Sequence, residues 1–515
     1  RVISGDGKKE HFSITDPAYR TAPGTQVALA DVDNDFKVEI IACASGGGTI
    51  AFENDGTFKW KNAEAACYAP AIADLDGDGN PEVLVRHYVL DGATGDIKWK
   101  GGAGCGAYST AADINDDGKP EVICGRVVYT HDGKTLWNDE TRGHGSTAIA
   151  DLDGDGKPEI VTTVSGEHAL YAHHADGTLY WGPVDINQGH ADLNDKCQGC
   201  GGGPPTIADF DGDGRPEIAA AAGYGYVIFE HDGTPKWFKT TRDLSSRATG
   251  SSVFDFEGDG KAEVVYSDEL VLRIYEGTSG DVLFSHCNTS GTLQEYPIIV
   301  DVDNDDHAEI VVANNNYAFK VCPDQSASKT GIKVFKDTTN DTTNNWVRTR
   351  RIWNQHTYHV TNIDEDGRVP RVEKQNWKNV VLNNFRQNVQ PGGLFDAPDL
   401  QLDKSAPTCT TRITVDIAVK NEGAAKIVPG VDVTLYLVDA NGDIALQTVA
   451  TKTTIYPKQA ETISFDVAVP AGSFNKTIEL YVVVDDDGQG KGMVNECEEE
   501  NNRIDLGSVQ CAGIG

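Results

Sequence analysis

Seven short stretches of this chain place carboxylates at alternate positions in the pattern D-x-D-x-D-G-x-x-E, each followed by an aliphatic run. The chemistry open to such a stretch is cation binding. Side chains at positions 1, 3 and 5 of a tight loop converge on one point, and Ca²⁺ takes 6–8 oxygens at about 2.3–2.6 Å. Glycine at position 6 permits the turn that brings them together. Three loops carry the full pattern: Asp74, Asp76, Asp78 and Glu82; Asp151, Asp153, Asp155 and Glu159; and Asp209, Asp211, Asp213 and Glu217. A fourth, Asp113, Asn115, Asp117 and Glu121, has Asn at position 3, still an oxygen donor. The set Asp255, Glu257, Asp259 and Glu263 has a longer arm there. Two sets, Asp31, Asp33, Asp35 and Glu39, and Asp301, Asp303, Asp305 and Glu309, have Phe36 and Asp306 at position 6 and so lack the turn glycine, whereas the longer Glu257 arm is expected to make the weaker site. Soft sulfur ligands are absent from all seven, which argues against zinc and copper. The competing reading is a set of solvated acidic turns, but seven clusters of carboxylates without a cation would repel one another. About seven structural calcium ions are expected.

The first residues of the loops lie 43, 39, 38, 58, 46 and 46 positions apart. That period suits a four-stranded blade of a propeller. One unit shows the layout. Residues 146–150 are small and apolar, suited to a crowded inner strand; Asp151 to Glu159 is the loop; residues 160–164 are β-branched. Residues 169–172 make a third strand, Asp176-Gly177 a hairpin signal and residues 178–181 a fourth strand. Trp60, Trp99, Trp137, Trp181 and Trp237 end five such units, with Phe284 and Trp346 as looser matches. Large aromatics on an outer strand can wedge between neighbouring blades. The fold class expected is all-β: a seven-bladed β-propeller over 1–346, then an Ig-like β-sandwich over 398–515. Residues 347–397 break the period as a Trp-rich closing segment and linker.

The balance of 44 basic and 79 acidic residues gives a formal charge of −35, which excludes nucleic acid as a partner. A hydrophobic fraction of 39% is enough to bury a core. No apolar run is long enough to span a membrane, so no membrane insertion is expected. The chain starts at Arg1 without a Met or a signal core, and reads as a processed chain or a fragment. Eleven cysteines point to an oxidising, extracellular setting. Proximity in the repeat suggests Cys43 with Cys67, Cys105 with Cys124 and Cys287 with Cys322. Cys197 and Cys200 suggest a local loop disulfide. Cys409 and Cys511 lie near the two ends of the sandwich, with Cys497 a competing partner.

These repeats resemble the FG-GAP/VCBS family, the repeats of integrin α-subunit propellers and of bacterial surface proteins, over roughly residues 20–345. The literal Phe-Gly and Gly-Ala-Pro signatures are missing, and position 9 is Glu where integrin loops usually have Asp. The resemblance implies that a backbone carbonyl near position 7 and the position 9 carboxylate complete the calcium shell. Asn421-Glu422-Gly423 and the run from Asn495 to Asn502 make the C-terminal part similar to the CARDB family of adhesion-related sandwiches.

Several other residues invite chemistry. His356 and His359 form a possible metal pair, Asn362, Asp364 and Asp366 a possible eighth loop, and Asp485-Asp486-Asp487 a possible cation cluster or acidic turn. Trp353, Trp377 and Phe385 are expected to anchor the closing segment. Sequons stand at Asn288, Asn340 and Asn475. The expected function is a calcium-stabilised adhesion or scaffold protein at the cell surface. It would bind protein or glycan, and could be part of a larger adhesin or the self-associating protomer of a filament. No catalytic residues are assigned, and the chain is not expected to be an enzyme. The alternative is a polysaccharide lyase or quinone-dependent dehydrogenase, with Arg142, His144, His190, Arg242 and Arg247 as candidates on the face opposite the loops.

Overall fold

The computed structural model describes residues 1–189, 201–305, 307–317, 321–322, 330–338, 346–390, 400–421, 427, 429–439, 442–455, 459–488 and 501–512. The chain divides into two compact units, Arg1–Val389 and Gln390–Gly515. No helix among the described residues is long and apolar enough to cross a membrane.

The first unit is a propeller. Its described residues form seven consecutive antiparallel sheets, six of four strands and a seventh of three. The sheets begin with the strands Val27–Ala30, Ala71–Ala73, Thr110–Ala112, Ser146–Ala150, Thr206–Ala208, Ser251–Phe254 and Ile298–Val300. Most of these first strands lie beside the first strand of the next sheet, and together they form the inner ring. Ala28, Ala30, Ala73, Ala112, Ala150 and Ala208 fill it because only small side chains fit where seven strands converge. Second strands such as Glu159–Val164 and Glu217–Ala221 are buried along their whole length, which explains their unbroken aliphatic runs.

The recurrent Trp has a repeated task. Trp60 Nε1 donates to Gly92 O at 2.8 Å, Trp99 to His131 O at 2.9 Å and Trp137 to Ala175 O at 3.0 Å. Trp181 and Trp237 do the same to His231 O and Gly277 O. Each carbonyl belongs to the outer hairpin of the next sheet. The indole also lies against that hairpin's glycine: a Cβ on Gly95 would come within 2.4 Å of Trp60. Gly and Trp therefore recur together because the glycine of one unit receives the Trp of the unit before it.

Residues 347–389 belong to the first unit. They run through the inner ring and touch the first strand of every sheet, or its approach. Leu29 N donates to Asn354 O, and Ile72 N to Gln355 Oε1. Thr357 Oγ1 donates to Ser109 O, and Arg386 Nη1 to Thr147 O. Ile207 and Phe385 exchange backbone hydrogen bonds, Val253 N donates to Arg386 O, and Asn388 Nδ2 donates to Ile299 O at 2.8 Å. Tyr358, Arg386 and Asn388 are completely buried. Phe385 and Trp377 join the core shared by the third, fourth and fifth sheets, and Trp353 stacks on Tyr358 at 4.5 Å. The segment is a central plug.

The second unit is a sandwich of two four-stranded sheets. One is built on the long strand Arg412–Asn421, which pairs with Leu400–Lys404, Thr408–Cys409 and Ala460–Ala468. The other has the order Ile444–Ala450, Asp432–Leu437, Thr477–Val484, Arg503–Gln510. Ile413, Val415, Ile417 and Val419 alternate with more exposed residues and face Val433, Leu435, Leu480 and Val482 in a single core.

Disulfides join Cys43–Cys67, Cys105–Cys124, Cys287–Cys322 and Cys409–Cys511. Cys197, Cys200, Cys497, the Asn340 sequon and residues 495–500 lie outside the described residues. Asn288 is fully buried and bonded to Ser267 Oγ and Ala313 O, so its sequon is closed to a glycan in the folded chain.

Candidate metal centres

All seven acidic loops join the first strand of a sheet to the second, so they lie together on one face of the propeller. Their internal bonding repeats. Position 1 clamps the loop: Asp74 accepts from Gly77 N and Gly79 N, Asp151 from Gly154 N and Gly156 N, and Asp209 from Gly212 N and Gly214 N, at 2.7–2.9 Å. Position 5 accepts from the N–H of position 7, as Asp78 does from Asn80 and Asp155 from Lys157. Position 9 is buried in every loop. One of its oxygens accepts from the N–H of position 2: Val32 to Glu39, Leu75 to Glu82, Ile114 to Glu121, Leu152 to Glu159, Phe210 to Glu217, Phe256 to Glu263 and Val302 to Glu309.

The second oxygen of position 9 is the informative one. Glu39 Oε1 and Glu217 Oε1 are buried without any hydrogen-bond partner. In three other loops a side chain meets it: Lys98 Nζ at Glu82 (2.5 Å), Asn115 Nδ2 at Glu121 (2.8 Å) and His174 Nδ1 at Glu159 (2.8 Å). Position 3 also attracts lysines from the outer strand, with Lys59 at Asp33 (2.5 Å) and Lys236 at Asp211 (2.6 Å). Burial pushes Glu39, Glu82 and Glu121 up to about 7, and Glu217 up to about 8. Glu263 goes up to about 9, through burial and then the charge of Glu257. A carboxylate with one oxygen on a backbone N–H and the other facing further acids could hold a hard cation.

Ligand atoms lie within 4.8 Å of one another in Asp209, Asp211, Asp213 and Glu217, in Asp301, Asp303, Asp305 and Glu309, in Asp31, Asp33 and Glu39, and in Asp74, Asp76 and Asp78. The same holds for Asp153, Glu159 and His174, where the imidazole was not foreseen because it comes from the third strand. In the loops from Asp113 and Asp255, position 1 accepts from the position 6 N–H in the same way. The loop from Asp31 takes this shape without glycine, since Phe36 itself adopts φ +68° and donates to Asp31 Oδ2. Sequence reasoning also missed position 4, which is left-handed at Asn34, Gly77, Asp116, Gly154, Gly212, Gly258 and Asn304. Only Gly, Asn and Asp stand there, the residues that tolerate this region best.

The other residues singled out in the sequence have these partners. His356 bonds Gln294 O and stacks on Tyr108, whereas His359 bonds Glu373, so the pair serves the plug separately. Asn362 bonds Asn354 and His359 N, and Asp366 pairs with Arg368, so these residues build the plug in place of an eighth loop. In the sandwich, Asp486 accepts from Tyr436 Oη and from Gly488 N. Of the candidates on the opposite face, Arg142 pairs with Asp139, Arg242 with Glu269, and Arg247 lies against Gly201. His190 lies outside the described residues.

The FG-GAP-like repeat model matches residues 31–85, 151–220 and 209–266, so the chain carries FG-GAP-like repeats. A search of the curated proteins returns no match. Among solved structures, the Vibrio cholerae biofilm matrix protein Bap1 matches with a TM-score of 0.58 at 20% identity, over 70% of this chain and 84% of that one. This likeness shows the shared fold. A Bacillus licheniformis rhamnogalacturonan lyase aligns at 18% identity over 59% of this chain and 73% of its own, with a TM-score of 0.36. A Pyrococcus furiosus CARDB domain in complex with di-metal ions aligns at 20% identity over 23% of this chain and 91% of its own, with a TM-score of 0.18.

Proposed function

We propose that this chain is an extracellular, calcium-stabilised scaffold or adhesion protein, and not an enzyme. The observation that carries the calcium reading is the buried, partnerless oxygen of Glu39 and Glu217, each set among further carboxylates. Asp and Glu at positions 1, 3, 5 and 9 would hold each ion, with Asn115 in the third loop and Glu257 in the sixth. The ion would supply positive charge that lets buried carboxylates ionise in place. Its role is structural, because each loop fastens the first strand of a sheet to the second.

The four disulfides among the described residues suit an oxidising compartment. The shared fold with a biofilm matrix protein agrees with a matrix or surface role. Partners are a protein or glycan of the cell surface, and self-association into a filament is a special case. Two assays on purified, calcium-loaded protein test the reading. Incubation with rhamnogalacturonan should release no unsaturated product; ultraviolet absorbance from such a product would overturn the non-enzymatic role. Sedimentation at rising concentration decides the filament case, which a persistent monomer excludes.

A further inference from the structure

The face opposite the acidic loops is made of the turns between second and third strands and of the connections from one sheet to the next. At the second and third sheets these segments have an unusual character for a chain of charge −35. The two-residue turn between Glu82–Val85 and Tyr88–Asp91 carries Arg86 and His87. The turn between Glu121–Cys124 and Val127–Tyr129 carries Arg126. The connection into the fourth sheet carries His144. All four side chains are half-buried.

Among the described residues, none of the four has an acid for a partner. Arg86 donates from Nε to Gly106 O at 2.9 Å and from Nη2 to Cys105 O at 3.3 Å. Arg126 Nη1 donates to Arg142 O at 2.7 Å and to Glu140 O at 3.3 Å. Every acceptor is a backbone carbonyl. Arg126 Nε, His87 Nδ1 and His144 Nδ1 are buried without a partner. The nearby carboxylates are engaged elsewhere: Asp139 with His173 and Arg142, Glu140 with Asn138, and Glu167 with Gly143 N and Tyr171. Burial, and after it the like charge of Arg86, Lys100 and His144, holds His87 below the usual imidazole range, and burial, then Arg126 and Arg86, does the same to His144.

A second observation comes from the backbone. The connection Gly101-Gly102-Ala103-Gly104-Cys105-Gly106 runs between these side chains and is held by the two Arg86 bonds. Gly101 N and Ala103 N have acceptors, in His87 O and Tyr129 Oη. The N–H groups of Gly102, Gly104, Cys105 and Gly106 have none among the described residues. A Cβ on Gly102 would meet nothing within 4 Å, and one on Gly104 only His144 Nε2 at 4.0 Å. The patch is thus glycine-rich backbone with N–H groups that lack an acceptor among the described residues, flanked by two guanidinium groups and two imidazoles.

We propose that this patch is an oxyanion-binding surface, and that its ligand is an acidic polysaccharide bearing carboxylate or sulfate groups. Free N–H groups and guanidinium groups without acids are the donors that recognise such oxygens. The two guanidinium groups sit on separate turns at half-burial, which fits charges repeated along a polymer better than one enclosed ion. The proposal names the glycan class for the scaffold reading above and rests on it.

The test uses calcium-loaded full chain and hyaluronate oligosaccharides, a uronate polymer, in low-salt calorimetric titration. Wild type should bind, more weakly as NaCl rises, and inorganic sulfate should compete. Arg86→Gln with Arg126→Gln should weaken binding at least tenfold, while Arg86→Lys with Arg126→Lys should stay within about threefold. Equal binding by wild type and the Gln pair would overturn the proposal. So would binding of sulfate without binding of hyaluronate, or of neither. A Gln pair that melts lower than wild type is replaced as evidence by the Lys pair, whose loss of binding would count against the charge argument. Failure here with calcium stabilisation intact sinks the patch and leaves the scaffold reading standing.

Discussion

Replacing Asn388 with Leu removes the hydrogen bonds of that one side chain while nearly keeping its volume. Asn388 Nδ2 donates to Ile299 O at 2.8 Å, and Oδ1 accepts from Tyr358 Oη at 2.9 Å and Val389 N at 3.0 Å. Asn388, Tyr358 and Ile299 are all fully buried, so water cannot take over the orphaned partners. A hydrogen bond is worth about 1 kcal/mol net, and a buried group left unpaired costs about 1–3 kcal/mol. The loss should be about 3 kcal/mol. At about 2 cal/mol/K per residue, a first unit ending at Val389 should melt about 4 °C lower. Scanning calorimetry of the calcium-loaded chain reads this, with the transition of the sandwich as internal reference. An unchanged first transition would refute the claim that the plug is stitched to the inner ring.

Three more outcomes follow from named residues. In the calcium-free protein Glu82, Glu217 and Glu263 titrate at about 7, 8 and 9, above the ordinary 4.5 of a Glu. A raised folded value stabilises fully below pH 4.5 and loses that contribution as pH rises through 7 to 9. Chelated protein should therefore melt lower at about pH 9 than at about pH 5.5, and added calcium should remove or reverse the trend. Lys98→Met takes a cation from Asp76 and from buried Glu82. Discounted for the partial exposure of Lys98, it should cost chelated protein about 2 kcal/mol and the loaded protein less; equal losses on denaturant melting would argue against a shared cation position. Reducing Cys409–Cys511 opens a loop of 102 residues, so the sandwich should lose about 4–5 kcal/mol, read by urea unfolding of Cys409→Ala with Cys511→Ala.

The acidic loops and the strands around them were legible because their determinants are local. Alternate carboxylates, a turn glycine and a following aliphatic run sit within a short stretch, and the pattern repeats. The Trp–Gly partnership was half legible: the two residues recur, but the Trp belongs with the glycine of the next unit, as Trp60 with Gly95 shows. The plug was hidden for the opposite reason. Asn354, Gln355, Arg386 and Asn388 look like exposed polar residues, and only the closing of the ring places them at its centre, where they bond to inner-strand backbone. His174 joined the fourth loop because the second and third strands pair Glu159 with it. The basic patch was visible only through His144, since Arg86, His87 and Arg126 sit in turns of different repeats.

The central claim is that calcium in the acidic loops holds the propeller together. Differential scanning calorimetry with millimolar calcium and with a chelator in excess tests it most directly. With affinities of roughly 10⁻⁴ M, each site contributes about 1.4 kcal/mol and seven about 10 kcal/mol. The propeller transition should fall by about 10 °C or more on chelation, while the sandwich, held by Cys409–Cys511, should move far less. A propeller transition unchanged by the chelator would contradict the account.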